Sequence, residues 1–207
     1  MTAESAASLV LRSDDPRCER LLRAGWRLRH RSWAAQLEAA AVDVERLIGL
    51  VAAVTGIVAL RELRDADAEA VLRLDARTLA DYPGGPATRP EPMDRGRARP
   101  SGVRRGFGAF DAAGALLGMS WCDIEGEAVE TDVTVVEAAL RGRGVGTALK
   151  AFSILALLRD GARRFRTGGA EENAAVLAAN RRLGYAVDEW WWTLAASDSA
   201  SVSEGSG

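Results

Sequence analysis

Two carboxylates on a β-branched run, and a glycine-rich turn directly after it, are the residues of this chain best equipped to do chemistry. Glu130 and Asp132 lie in the stretch Ala128 to Val136. Side chains of a strand repeat every second residue, so Glu130, Asp132, Thr134 and Val136 are expected on one face, with Glu130 or Asp132 able to take a proton from an attacking group. The turn that follows reads Arg141-Gly142-Arg143-Gly144-Val145-Gly146-Thr147 and leads into an apolar-periodic stretch. Without Cβ atoms at its glycines, successive backbone N–H groups converge, and a helix starting near Val145 adds the positive end of its dipole. A diphosphate suits such a cradle.

Spacing narrows the type of loop. A nucleoside-triphosphate loop needs Gly-Lys-Ser/Thr after its second spacing, whereas Lys150 falls a helical turn beyond Gly146. A dinucleotide fingerprint needs GxGxxG, and this turn is GxGxG without the later acidic residue. Arg141-x-x-Gly144-x-Gly146 instead resembles the pyrophosphate loop of the GNAT superfamily of acyl-CoA-dependent N-acyltransferases. A second segment, Glu172-Asn173 through Asn180-Arg181-Arg182-Leu183-Gly184-Tyr185, is similar to that family's closing helix and its LG-(F/Y) ending. The likeness is tight over residues 130–190 and looser back to about residue 20, and it is nearest to actinobacterial-style, often tandem, members.

The resemblance implies an α/β fold with a mixed central sheet flanked by helices. It also implies transfer of an acetyl group from acetyl-CoA to a primary amine of a small molecule or protein, by direct attack. The backbone of Arg141, Gly142, Arg143, Gly144, Val145, Gly146 and Thr147 would hold the diphosphate. Thr134, Val135 and Val136 would run beside the pantetheine arm, with an N–H near Val136 polarising the carbonyl, and Asn173 would hold the arm from the other side. Glu130 stands eleven residues before Arg141, the offset of the base glutamate in histone-acetylating members, which favours it over Asp132. A carboxylate is needed because a lysine-type amine titrates near 10.4. Where many members carry a tyrosine acid, this chain has Asn180, which can donate a hydrogen bond to a sulfur anion but cannot protonate it. The substitution also leaves room for a non-catalytic acyl-CoA-binding regulator.

The remaining sequence excludes other classes. A net charge of −2 gives no basic surface for nucleic acid. Two cysteines, Cys18 and Cys122, form no framework and suit a reducing cytoplasm. Residues 47–60 are uncharged but too short to span a bilayer and are split by Gly56. No metal constellation is visible. Residues 1–9 and 195–207 read as mobile tails. Residues 10–55 read as an extension resembling the end of a preceding GNAT half, and 56–194 as the acetyltransferase domain. A chain lacking that preceding half invites a tandem-like homodimer. The proline- and arginine-rich stretch from Tyr82 to Gly106 reads as a substrate lid or surface loop whose arginines would favour an anionic acceptor or the 3′-phosphate of CoA.

His30 lies far in sequence from the loop. Trp190, Trp191 and Trp192 alternate on the last strand and read first as packing residues.

Overall fold

Residues 8–81 and 91–196 are described by a computed structural model. In chain order the strands are β1 (Ser8–Arg12), β2 (Arg27–Glu38), β3 (Ala59–Glu62), β4 (Arg104–Phe110), β5 (Leu116–Glu125), β6 (Ala128–Val136), β7 (Arg164–Ala170) and β8 (Ala186–Ala195). The helices are α1 (Arg17–Arg23), α2 (Val44–Ala52), α3 (Ala68–Thr78), α4 (Val145–Arg159) and α5 (Ala174–Leu183). The turns and caps follow from local chemistry. Asp43 caps α2 by accepting from the Arg46 amide at 3.0 Å. Asp111 closes the β4–β5 hairpin by accepting from the amides of Ala113 and Ala115.

All strands join one sheet in the order β1-β8-β2-β7-β6-β5-β4-β3. From β3 to β6 it is an antiparallel meander, and from β7 through β2 and β8 to β1 it is again antiparallel. The two halves meet at a single parallel pairing, β6 on β7. Strand β1 begins at Ser8, inside the stretch expected to be a mobile tail, and forms the sheet edge. The segment 10–55 contributes β2 to the middle of the sheet, between β7 and β8, together with α1 and α2.

Helices α2, α4 and α5 cover one face over a core that includes Trp33, Leu37, Phe107, Leu149, Ile154 and Phe165. Helix α3 covers the opposite face of β5 and β6, with Val71 and Leu74 against Met119, Trp121, Val133 and Val135. Helix α1 packs Cys18 against Leu11 and Leu194. Among the described residues no helix is long and apolar enough to cross a membrane.

Strand β2 is fastened to β7 by Trp33. Its side chain is 1% exposed, and its Nε1 donates to the Ala170 carbonyl at 3.2 Å. Its ring lies so close to Gly169 that a Cβ there would sit 2.8 Å from it. Replacing Trp33 with alanine is expected to lower the free energy of unfolding by about 3–5 kcal/mol, read from urea denaturation. A loss below about 1 kcal/mol would mean that β2 is held by its ladder and not by this side chain.

Candidate active site

The parallel pairing of β6 and β7 lasts only from Ala128 opposite Arg164 to Glu130 opposite Arg166. Beyond it β6 stays with β5 as far as Val136, while β7 stays with β2 as far as Ala170. The sheet therefore forks, and beyond Glu130 strand β6 no longer pairs with β7. An extended ligand can add itself there as a strand would.

The glycine turn closes the upper end of the fork. Gly142 and Gly144 have φ of 75° and 83°, a left-handed conformation that favours glycine, and Gly144 is the N-terminal cap of α4. A Cβ at either would meet nothing within 4 Å, so the turn presents bare backbone to open space. The first helical bond runs from the Ala148 amide to the Gly144 carbonyl, leaving the amides of Val145, Gly146 and Thr147 without a partner among the described residues. Gly146 lies over the end of β6, where a Cβ would stand 3.4 Å from Val136 and 4.0 Å from Thr134. Arg141 braces the turn, with Nε donating to the Val136 carbonyl at 3.0 Å and its guanidinium paired with Asp81. Thr134 is hydrogen-bonded to Ser120 at 2.9 Å, and Val135 is buried in the core under α3. These arrangements bring residues 134–147 together as one wall of the fork.

The carboxylates require a correction. Glu130, Asp132, Thr134 and Val136 do not share a face, because β6 carries a bulge at which Cys122 faces Thr131 but Trp121 faces Val133. Val129 therefore packs in the α4 core while Val133 and Val135 pack in the α3 core. Glu130 and Asp132 lie on the α3 side; Thr134 and Val136 lie on the α4 side, under the glycine turn.

The bulge residue Asp132 is bound by Arg104 at 2.6 Å and Arg97 at 2.9 Å. Glu130 makes no hydrogen bond or ion pair among the described residues. Although the residue meets solvent, desolvation of its carboxyl raises its pKa above the usual range; Arg166 and then Lys150 oppose the shift, and Asp123 and Asp132 add to it.

On the α4 side, at the crotch of the fork, lies a buried polar cluster. Lys150 is 5% exposed and Asn180 1%. The Lys150 ammonium donates to Asn180 Oδ1 at 2.6 Å and to Thr167 Oγ1 at 2.8 Å, and it stands 5.2 Å from the centre of the Tyr185 ring. Burial lowers its pKa from 10.5 to about 8. Asn180 Nδ2 is buried and has no partner. Sequence reasoning passed over Lys150 except to reject a triphosphate loop, yet it is the only charged residue between Val145 and Leu158. Tyr185 is buried, and burial pushes its phenol well above the usual range. Burial likewise raises the Cys122 thiol to about 11.

The other candidates are placed as follows. Asn173 caps α5, its Oδ1 accepting from the Val176 amide at 3.2 Å. His30 stands 4.0 Å from Glu172 on β2, away from the turn. Trp192 packs with α1, and Trp191 donates to Glu189 at 3.1 Å. Tyr82 and Arg89 lie outside the described residues. Arg95 pairs with Glu69, Arg97 with Asp132 and Glu91, Arg104 with Asp123 and Asp132, and Arg105 with Glu62 and Asp160. Arg99, in the same stretch, is exposed and has no ion pair among the described residues. Met93 and Ala98 are buried under α3 and tie residues 91–100 to the core, while most of the other residues of that segment are exposed. Among the described residues no group of side chains is arranged to hold a metal ion.

No family model matches the chain, and no curated protein does. Solved structures do. A GCN5-related N-acetyltransferase from Sphaerobacter thermophilus superposes with a TM-score of 0.64 at 16% identity, over 93% of this chain and 60% of that one. One from Kribbella flavida gives 0.63 at 15% identity, over 92% and 68%. A tandem GNAT protein from the clavulanic acid biosynthesis pathway gives 0.64 at 24% identity, over 92% and 63%. The chain thus spans about 60% of the length of the first of these structures and 63% of the tandem protein. These likenesses give the chain the fold of the GCN5-related N-acetyltransferases.

Proposed function

We propose that this chain binds acetyl-CoA in the fork and transfers the acetyl group to a primary amine, with Glu130 as the base. The observation that carries this reading is the placement of helix-start amides without a partner among the described residues, and of a carboxylate without an ion pair there, about one opening in the sheet. The diphosphate is held in the turn of residues 141–147 and takes the amides of Val145, Gly146 and Thr147, while those of Arg141 and Arg143 hold the turn itself. The pantetheine arm lies along β6 beyond the point where it parts from β7, and an N–H near Val136 polarises the thioester carbonyl. Asn173 holds the arm from the α5 side.

The chemistry follows from charge. An amine is a nucleophile only when unprotonated, and Glu130, with its pKa raised, is a stronger base than an ordinary carboxylate. The amine nitrogen bonds to the carbonyl carbon, its proton passes to Glu130 directly or through water, and the C–S bond breaks with its electron pair on sulfur. Asn180 Nδ2 donates a hydrogen bond to that sulfur. The acceptor is a small molecule or protein amine. A regulatory, non-catalytic acyl-CoA binder is the second reading, favoured by the absence of a tyrosine hydroxyl at position 180. A thiol assay for CoA release in the presence of a panel of amines separates the two.

Gly144→Glu is expected to abolish acetyl-CoA binding measured by calorimetry, because it forces a side chain into a left-handed position and sets a negative charge at the cradle. Unchanged affinity would remove the cradle from the site. Glu130→Gln is expected to lower turnover most at neutral pH and least at high pH, where the amine loses its proton unaided, with acetyl-CoA affinity retained. In the parent, turnover should rise as the pH climbs through the elevated pKa of Glu130, since the ionised form is the base. An equal loss at every pH would assign Glu130 to positioning. Asn180→Ala is expected to cost about 1.5–3 kcal/mol in turnover, the worth of one charge-assisted hydrogen bond. Parental turnover in that variant would take Asn180 out of the reaction.

A further inference from the structure

Lys150 is a buried cation that the reaction just described does not use. A lysine has only donors, so the atom of Asn180 that faces it must be the carbonyl oxygen. This fixes the amide: Nδ2 is turned away from Lys150 and is buried without a partner. The second acceptor, Thr167, stands one residue beyond Arg166, the last residue of β7 that pairs with β6. The cluster therefore sits where the two strands part. An unsatisfied buried donor is costly, and so is a buried ammonium, and here one orients the other.

We propose, on the reading that the fork binds CoA, that Lys150 is a positioning residue for the sulfur: it locks Asn180 with Nδ2 turned away from the ammonium and places a positive charge behind it, so that the bound CoA thiol is held as thiolate. When the C–S bond breaks, the electron pair left on sulfur meets a hydrogen bond backed by a full charge, and no proton need be transferred from the protein. The thiolate takes its proton from solvent after release. The charge has few competitors. The titratable groups near Lys150 are Cys122 from β5 and Tyr185 after α5, with Glu130 acting on it by charge from the other face of β6 and Thr167 and Asn180 as its neutral partners. The Cys122 thiol and the Tyr185 phenol both have raised pKa values and stay uncharged, leaving only Glu130 to offset the ammonium.

The test needs neither acceptor nor turnover. CoA is bound to the protein and the ultraviolet absorbance of its thiolate is followed from neutral to alkaline pH, with the desulfo-CoA complex as the reference that subtracts the protein's own thiols and phenols. The acid dissociation constant of bound CoA should exceed that of free CoA by about tenfold or more. Lys150→Met should abolish the difference, Lys150→Arg should keep part of it, and Asn180→Ala should lose most of it. If bound CoA titrates like free CoA in the unaltered protein, the inference is overturned while the CoA site stands. If the shift survives in Lys150→Met, Lys150 is not its source. Should Lys150→Met fail to fold, the unaltered protein and Asn180→Ala decide: a shift undiminished in Asn180→Ala overturns the proposal. Failure of the parent to bind CoA sinks the site and this inference together.

Discussion

The capture of β7 by β2 is the constraint on which the rest depends. A parallel pair left to itself would zip onward, since each added residue satisfies further backbone groups. Here β7 already pairs with β2 from Arg164 to Ala170, and β6 with β5 from Ala128 to Val136. Each is held on its far side, and the sheet twist carries them apart after three paired positions. The opening is thus produced by what holds each strand from behind. Trp33 and the two glycines opposite β2, Gly168 and Gly169, make that hold close-packed.

Once the fork exists, the bulge at Asp132 divides its two walls into different environments. Toward α3 stand acids and arginines in mutual pairs, Asp132 with Arg97 and Arg104 among them, and Glu130 without an ion pair among the described residues. Toward α4 stand the bare turn and a buried lysine. That lysine is held against its solvation preference. The fall of its pKa from 10.5 to about 8 corresponds to about 3 kcal/mol of folding free energy lost at neutral pH. The sign is that of a depressed base: the cost is full below about 8 and disappears as the pH rises past 10.5, where the unfolded chain loses the same proton. An apolar residue at position 150 would avoid this cost, which marks Lys150 as a charge retained for a purpose other than stability.

Much of this was legible in the sequence, for identifiable reasons. The strand Ala128–Val136 and the helix start at Val145 fall where they were expected, and elsewhere Gly25 and Gly184 at positive φ and the Asp43 and Asn173 caps bound their helices by equally local signals. The glycine turn was legible because left-handed positions and free amides depend on nearest neighbours. What the sequence hid is non-local. Strict alternation along β6 fails because the bulge is set by the partner strand, and no pattern within residues 128–136 announces it. Edge strand β1 was hidden because its five residues gain their order from β8. Arg97, Arg104 and Arg105 looked available in a linear reading, and only the fold brings Glu62, Asp123, Asp132 and Asp160 to them. Lys150 could have been noticed as a lone charge on an apolar helix, but its partners on β7 and α5 lie 17 and 30 residues away.

The place of β2 also has a kinetic side. Trp33 and the carbonyl it bonds are separated by 137 residues of sequence. During synthesis β2 leaves the ribosome early and must wait for β7 and β8, roughly ten seconds or more at ordinary elongation rates. Throughout that interval both of its edges are bare, the condition that invites strands of different molecules to pair. Its first half reads Arg27-Leu28-Arg29-His30-Arg31, and the guanidiniums there remain largely exposed or half-exposed in the finished sheet. Charges so placed repel a second copy of the same segment, so the nascent strand is guarded by its own side chains until its neighbours arrive.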